Sequence, residues 1–286
     1  MIGDTVRADF AVVRPAPPLR PLVHRYVGYH FSGFSPGAHL GLPSRHLTLT
    51  ISLDEPVRVA EMPDTGQAPA GFAMMVGGLA SRRAVITHDG TQYGVQVELT
   101  PRGARTLLGT PAGALGPTVV DLQELLGRSA AMLPERLHER SGWPRRFALL
   151  EEVLLYRLIQ DEAHSTVPAE LDRAWELLMR SAGTARVTEV AAAVGWSRRH
   201  LGARFRSEYG LTPKTAAAVM RFERSRSLIQ QPGGGNLADV AAACGYADQS
   251  HLTREWNRFA GCSPTAWVAG EQLPFVQDGT LTPPPD

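Results

Sequence analysis

The sequence predicts an α+β protein of two domains: an antiparallel β barrel or sandwich followed by helices, then an all-α domain built on two helix-turn-helix units. Three observations carry this prediction. One stretch of the second half occurs twice, the first hundred residues alternate apolar and polar side chains, and a long helix fits between the two repeats. At 286 residues the chain is long enough to bury two cores. Apolar residues at 43% and charged residues at 20% describe an ordinary globular composition.

The strand-rich part comes first. In His46-Leu-Thr-Leu-Thr-Ile-Ser-Leu53, the residues Leu47, Leu49, Ile51 and Leu53 share one face, and Tyr93, Val95, Val97 and Leu99 repeat the pattern up to Thr100. Both segments read as half-buried antiparallel strands. Shorter strands are expected at 56–61, 71–76 and 83–88, separated by breaks such as Met62-Pro-Asp-Thr-Gly66 and His88-Asp-Gly90. Many short strands with turn signals between them suggest a barrel or sandwich. Beyond Thr100 the period becomes helical. Helices are expected at 102–108, 120–126, 130–140 and 145–159, the last with Leu149, Leu150, Val153, Leu154 and Leu158 on its apolar face. The expected division is 1–160 for the first domain, 161–168 for a linker, 169–270 for the second domain and 271–286 for a disordered, proline-rich tail.

The repeat is specific. Val190-Ala-Ala-Ala-Val-Gly-Trp196 returns as Val240-Ala-Ala-Ala-Cys-Gly-Tyr246, Leu201 answers Leu252, Phe205 answers Trp256, and Gly210-Leu-Thr-Pro213 answers Gly261-Cys-Ser-Pro264. One supersecondary unit is used twice. A helix-turn-helix needs a small residue where its two helices cross and a turn residue that tolerates positive φ. Ala191 with Gly195, and Ala241 with Gly245, supply both. Ser197 and Asp248 stand where each second helix needs an N-cap. Between the units, 213–230 reads as one helix with Pro213 in its first turn. Roughly 18 residues at ~1.5 Å each make a rod of about 27 Å. Major-groove segments on one side of B-DNA lie ~34 Å apart, so such a rod can set two recognition helices into neighbouring segments.

Charge supports that reading. Residues 170–270 hold 13 basic and nine acidic side chains, although the whole chain carries a net charge of only +1. Lys214 is the only lysine, so phosphate and base contacts fall mainly to arginine. The first recognition helix presents Arg198, Arg199, His200, Arg204 and Arg206, with Gly202 and Ala203 leaving room for the backbone to approach DNA. Arg199 is placed to read guanine, and Ala203 to touch a thymine methyl. In the second unit Gln249, Ser250, Thr253 and Arg254 form the polar face, with Gln249 suited to adenine and Arg254 to guanine or phosphate. Asp248 and Glu255 leave that helix nearly neutral, so it should contribute less affinity.

These residues resemble the C-terminal domain of the AraC/XylS family of bacterial transcription regulators, over about a hundred residues. The part most similar to the family signature is Ala238-Asp-Val-Ala-Ala-Ala-Cys-Gly-Tyr-Ala-Asp-Gln-Ser-His-Leu-Thr-Arg-Glu-Trp256 with Gly261-Cys-Ser-Pro264. Trp256 stands where phenylalanine is usual and Trp267 where tyrosine is usual. The resemblance implies base contacts by Arg199, Gly202, Ala203, Gln249, Ser250 and Arg254. It also implies a first domain that is cupin-like and either binds a small effector or mediates dimerisation. The pieces Leu42-Pro-Ser-Arg-His46, Pro101-Arg-Gly103 and Leu107-Leu-Gly109 carry this second, looser likeness. The expected partners are promoter or operator DNA, RNA polymerase, a small-molecule effector and a second copy of the chain.

Enzymatic readings are weaker. A cupin-like metalloenzyme fused to the DNA-binding domain is the alternative, but His24, His30, His39, His46 and His88 are scattered, with no His-x-His, so no metal and no cofactor is expected. Gly33-Phe-Ser-Pro-Gly37 has the spacing of a nucleophile elbow, but Pro36 lacks the N–H that an oxyanion hole would take from the residue after the serine. Cys244 and Cys262 replace Val194 and Leu211 of the first repeat, so both read as reduced core residues. The start of the chain carries no signal-peptide pattern and no stretch is apolar enough to span a membrane, so a cytoplasmic protein is expected.

Overall fold

Alternation in the first hundred residues resolves into two antiparallel sheets laid face to face. The computed structural model describes residues 6–127, 130–160, 167–231 and 236–270. Ten strands are formed among the described residues: β1 (Arg7–Val13), β2 (Val23–Ser32), β3 (Gly37–Gly41), β4 (Leu47–Ser52), β5 (Val57–Glu61), β6 (Ala70–Phe72), β7 (Met74–Gly77), β8 (Ala84–His88), β9 (Gln92–Leu99) and β10 (Val119–Asp121). The larger sheet runs β1-β2-β9-β4-β7-β10 and the smaller one β3-β8-β5-β6. Helices of the first domain are α1 (Pro101–Leu108), α2 (Ala112–Leu115), α3 (Leu122–Leu126), α4 (Leu133–His138) and α5 (Trp143–Gln160). Those of the second are α6 (Ala169–Arg180), α7 (Val187–Ala193), α8 (Arg198–Tyr209), α9 (Pro213–Gln230), α10 (Leu237–Ala243), α11 (Gln249–Ala260) and α12 (Pro264–Gly270).

Leu47, Leu49, Ile51, Val95, Val97 and Leu99 point away from the smaller sheet and form a core with Leu107, Phe147, Leu150 and Leu154 of α1 and α5. The expected half-buried character of β4 and β9 is corrected here. Their other faces are also covered, because the smaller sheet closes over them, and Thr50, Ser52, Gln96 and Glu98 are buried polar residues. Three strands had no clear period-two signal: β1, β2 and β3. In β2 the run Tyr26-Val-Gly-Tyr29 is buried on both faces, so alternation is lost. The expected helix at 120–126 begins as strand β10, which pairs with β7, and turns helical only after the Asp121 carboxylate caps α3. The expected helix at 130–140 is shortened to α4, with Pro134 in its first turn.

The same apolar cluster that joins the large sheet to α5 continues into Leu171, Trp175, Val190, Leu201, Phe205 and Tyr209 of the first helix-turn-helix unit. A second cluster holds the other unit together through Val240, Cys244, Leu252, Trp256 and Phe259, and it takes in Leu42 from the first domain. Residues 161–166 of the expected linker at 161–168, the glycine run at 233–235 and the tail at 271–286 lie outside the described residues.

Candidate nucleic-acid interface and the adjoining cavity

Both repeats build the same turn. Gly195 and Gly245 adopt φ of +71° and +76°. In each unit the following aromatic donates its backbone N–H back to the small alanine, Trp196 to Ala191 O and Tyr246 to Ala241 O, both at 2.9 Å. The N-caps fall as expected: Ser197 Oγ accepts the His200 N–H at 3.2 Å and an Asp248 oxygen accepts the His251 N–H at 2.6 Å. Each capped helix starts at the turn and seats its anchors, Leu201 with Phe205 and Leu252 with Trp256, in a fully buried position. Trp256, where the resembled family carries phenylalanine, donates its indole N–H to Ser225 Oγ at 2.9 Å, so its extra polar atom is satisfied inside the core. Cys244 is buried in that core and Cys262 packs at its edge, neither of them in a disulfide.

The faces left over are polar. Arg198, Arg199, His200, Ala203, Arg204 and Arg206 are exposed on α8, while Gly202 is half-buried. On α11, Gln249, Ser250 and Arg254 are exposed and Thr253 is half-buried. Arg198, Arg199 and Gly202 line a shallow notch with Val187, Thr212, Pro213 and Lys214. Lys214, the single lysine, is not among the DNA contacts expected from the sequence. Thr212 caps α9 by accepting the Thr215 N–H at 3.1 Å, which places Lys214 in the first turn beside the arginines. The rod joining the units is α9, with the bounds expected from Pro213 and Gln230.

Two contacts from the first domain bear on the elements of this assembly. Arg105 of α1 makes a two-pronged ion pair with Glu208 near the C-terminal end of α8, Nε at 2.9 Å and Nη2 at 2.5 Å. Beside it α2 packs on α8, and at Gly113 a Cβ would come within 2.4 Å of the Ser207 carbonyl. The second contact comes from the segment between β3 and β4. Ser44 Oγ donates to Glu223 of α9 at 2.9 Å, and Leu42 is buried among the second unit's core residues.

That segment also walls a cavity of about 120 Å³ between the two sheets. Tyr29, Phe31, Thr48, Thr50, Gln92 and Gln96 face it from the large sheet, and His39, Val57, Val59, Ala84 and Ile86 from the small one. Burial holds the His39 imidazole down at about 4 and the His46 imidazole well below its usual value, so both are neutral near pH 7. Of the scattered histidines, the fold brings His24 and His46 together with Glu98, their ligating atoms within 4.8 Å. The arrangement does not fit a metal. The two rings are stacked at 4.4 Å and 14°, so their in-plane lone pairs run side by side. One oxygen of Glu98 is held by Arg25 at 2.6 Å and the other faces His46 Nδ1 at 3.5 Å, so the carboxylate is already answered by a fixed cation. Strand adjacency, with Arg25 opposite Glu98, assembled a group that spacing along the chain did not show.

Residues 190–270 match the protein family described as "Helix-turn-helix domain". Among curated proteins, an uncharacterized HTH-type transcriptional regulator of Bacillus subtilis, YbfI, is 30% identical over 66 residues, 23% of each chain. The Msm operon regulatory protein of Streptococcus mutans is 26% identical over 119 residues, 41% of this chain and 42% of that one. The chain thus spans about a quarter and about two fifths of the lengths of these two relatives. The C-terminal part is an AraC-type helix-turn-helix domain. The whole architecture, sheets included, is shared with ToxT of Vibrio cholerae, at a TM-score of 0.52 over 93% of this chain and 98% of that one, with 12% identity. A ToxT structure with (E)-4-(8-methylnaphthalen-1-yl)but-3-enoic acid bound has a TM-score of 0.51 and 10% identity, covering 93% and 99%. At such identity the likeness is one of fold.

Proposed function

We propose that the chain is a sequence-specific, DNA-binding transcription regulator, controlled by a small molecule held between the two sheets of its first domain. The observation that carries the reading is the pair of matched, capped hairpins set at either end of α9, each with a polar outer face. In this reading Arg198, Arg199, Gly202, Ala203 and Arg206 of α8, and Gln249, Ser250, Thr253 and Arg254 of α11, meet DNA, the arginines reading guanine or holding phosphate. Lys214 joins them as a phosphate contact, because it opens α9 within the same notch as Arg199. That a ToxT structure holds a small organic acid supports control by a small molecule in a chain of the same fold.

The domain limits 1–160 and 169–270, with the change of domain at 161–168, belong to this proposal. So do RNA polymerase as partner, a cytoplasmic, nucleoid-associated location and a homodimer formed through the α4–α5 region, where Tyr156 and Ile159 are exposed at 62% and 76%. Among the described residues no helix is long and apolar enough to cross a membrane. The metalloenzyme alternative is the weaker reading, because its candidate carboxylate, Glu98, is paired with Arg25 and its two histidines are stacked, and no catalytic role is assigned.

Footprinting of the purified chain on the DNA upstream of its own coding region tests the reading. Two protected segments about one helical turn apart on one face of the duplex are expected. A single protected segment would mean that only one hairpin enters a groove, and no protection in low salt would end the proposal.

A further inference from the structure

The large sheet is unusual in which side it turns inward. Its apolar face is covered by α1 and α5, and its polar face, carrying Thr48, Thr50, Gln92 and Gln96, looks into the cavity. Polar groups withdrawn from water destabilise a fold unless they are hydrogen-bonded. Gln96 is 6% exposed, and its Nε2 is buried without a hydrogen-bond partner. A donor kept in that state gains most from an acceptor that arrives from outside the chain. Across from it the wall is mostly apolar, formed by Val57, Val59, Ala84 and Ile86, with the uncharged His39 among them. Among the described residues that line the cavity there is no aspartate or glutamate, His39 and His46 are uncharged near neutrality, and Arg82 is the one fixed charge.

We propose that the cavity takes a compact, largely apolar molecule of about one ring, carrying an oxygen acceptor that receives the Gln96 amide N–H. The proposal deepens the small-molecule reading given above and rests on it. Size follows from the volume: 120 Å³ is close to the ~150 Å³ of an engineered apolar cavity that accepts benzene. Polarity follows from the walls, one bearing the Gln96 donor and the other mostly hydrocarbon. A cation is disfavoured, because Arg82 repels it and no lining carboxylate answers it. The site also has an outlet to the DNA-binding domain. Leu42, Pro43 and Ser44 line the cavity, while Leu42 and Ser44 hold the second unit's core and Glu223 from their other side. An occupant that presses on this segment therefore acts directly on α9.

Three probes of one skeleton decide the matter: acetophenone with a carbonyl oxygen, cumene with a methyl group in its place, and 1-phenylethylamine with an ammonium. Calorimetric titration of the full-length protein should give the tightest binding for acetophenone, about tenfold over cumene for one hydrogen bond to an otherwise unpaired donor, and none for the amine. Gln96→Leu should bring acetophenone and cumene level, and the volume-matched Gln96→Met serves the same purpose should the first variant fold poorly. Equal affinities in the unaltered protein, an unchanged preference in both variants, or no binding of any probe at millimolar concentration each overturns the proposal. Gel shifts on the same preparation keep the two readings apart. Intact DNA binding with a failed titration removes only this ligand class, whereas a successful titration without DNA binding removes the regulator reading.

Discussion

Single side chains set both the turn and the chemistry of the second domain. Gly195 and Gly245 share the same left-handed backbone, but their surroundings differ. A Cβ at Gly195 meets nothing within 4 Å, whereas one at Gly245 comes to 2.9 Å from Thr184 Cγ2. A left-handed alanine costs roughly 1–2 kcal/mol, so Gly195→Ala should lose that much in urea unfolding and Gly245→Ala clearly more. Equal losses would mean that Thr184 yields freely. Arg199→Ala should weaken operator binding by ~1–3 kcal/mol and relax preference at one base pair. Equal weakening on random DNA would instead assign Arg199 to phosphate. His39 offers a pH test. Its folded-state pKa of about 4 lies below the ordinary 6.5, so the unfolded chain binds the extra proton between those values. The stability His39 contributes is complete above pH 6.5 and is lost as pH falls toward 4. His39→Gln should remove on the order of 1 kcal/mol of the loss seen at pH 5, read as a smaller fall in Tm between pH 7 and pH 5. An unchanged fall would show that the ring is hydrated through the cavity.

At the scale of elements, the contact between α2 and α8 decides how firmly the first recognition helix is held. Gly113 lies against the Ser207 carbonyl with no room for a side chain, and Arg105 neutralises a buried Glu208. Gly113→Val should prise α2 from α8 without unfolding either, seen as faster amide exchange along α8 and unchanged exchange in β4 and β9. Protection unaltered in α8 would show that the ion pair alone holds the contact. The elements differ in how legible they were. The hairpins, their caps and α9 were readable because each is specified locally, by a glycine, a capping oxygen or a proline. The strand pairs were harder. β2 and β3 become regular only when β9 and β8 pair with them, and β2, with Tyr26, Val27 and Tyr29 buried on its two faces, shows no period. The polar stripe of β9 suggested water outside Gln92, Gln96 and Glu98, and the smaller sheet encloses it instead. Likewise Lys214 joined the DNA face, and His24 met His46 and Glu98, through packing between residues distant in sequence.

For the molecule as a whole, the question is whether the two hairpins act independently or as one body. Their cores are separate clusters joined through α9, yet each is tied to the first domain, one through α8 and the other through Leu42 and Ser44. Glu223 is central to the second tie, accepting the Ser44 hydroxyl at 2.9 Å and facing Arg45 at 3.9 Å. Cutting that tie should change how the second hairpin engages DNA while leaving the first alone. Leu42→Ala with Ser44→Ala should therefore alter protection of one half of the footprint, and the affinity for a half-site facing α8 should stay constant. The salt dependence supplies the count that this comparison needs. If Arg198, Arg206, Lys214 and Arg254 each neutralise about one phosphate while Arg199 reads a base, log K should fall with log salt at a slope of about −3 to −4. In the double variant the slope should drop only by the share of α11, about one unit for Arg254. A loss spread over the whole footprint, with a slope reduced by several units, would mean that the first domain sets both hairpins together and that α9 alone does not space them.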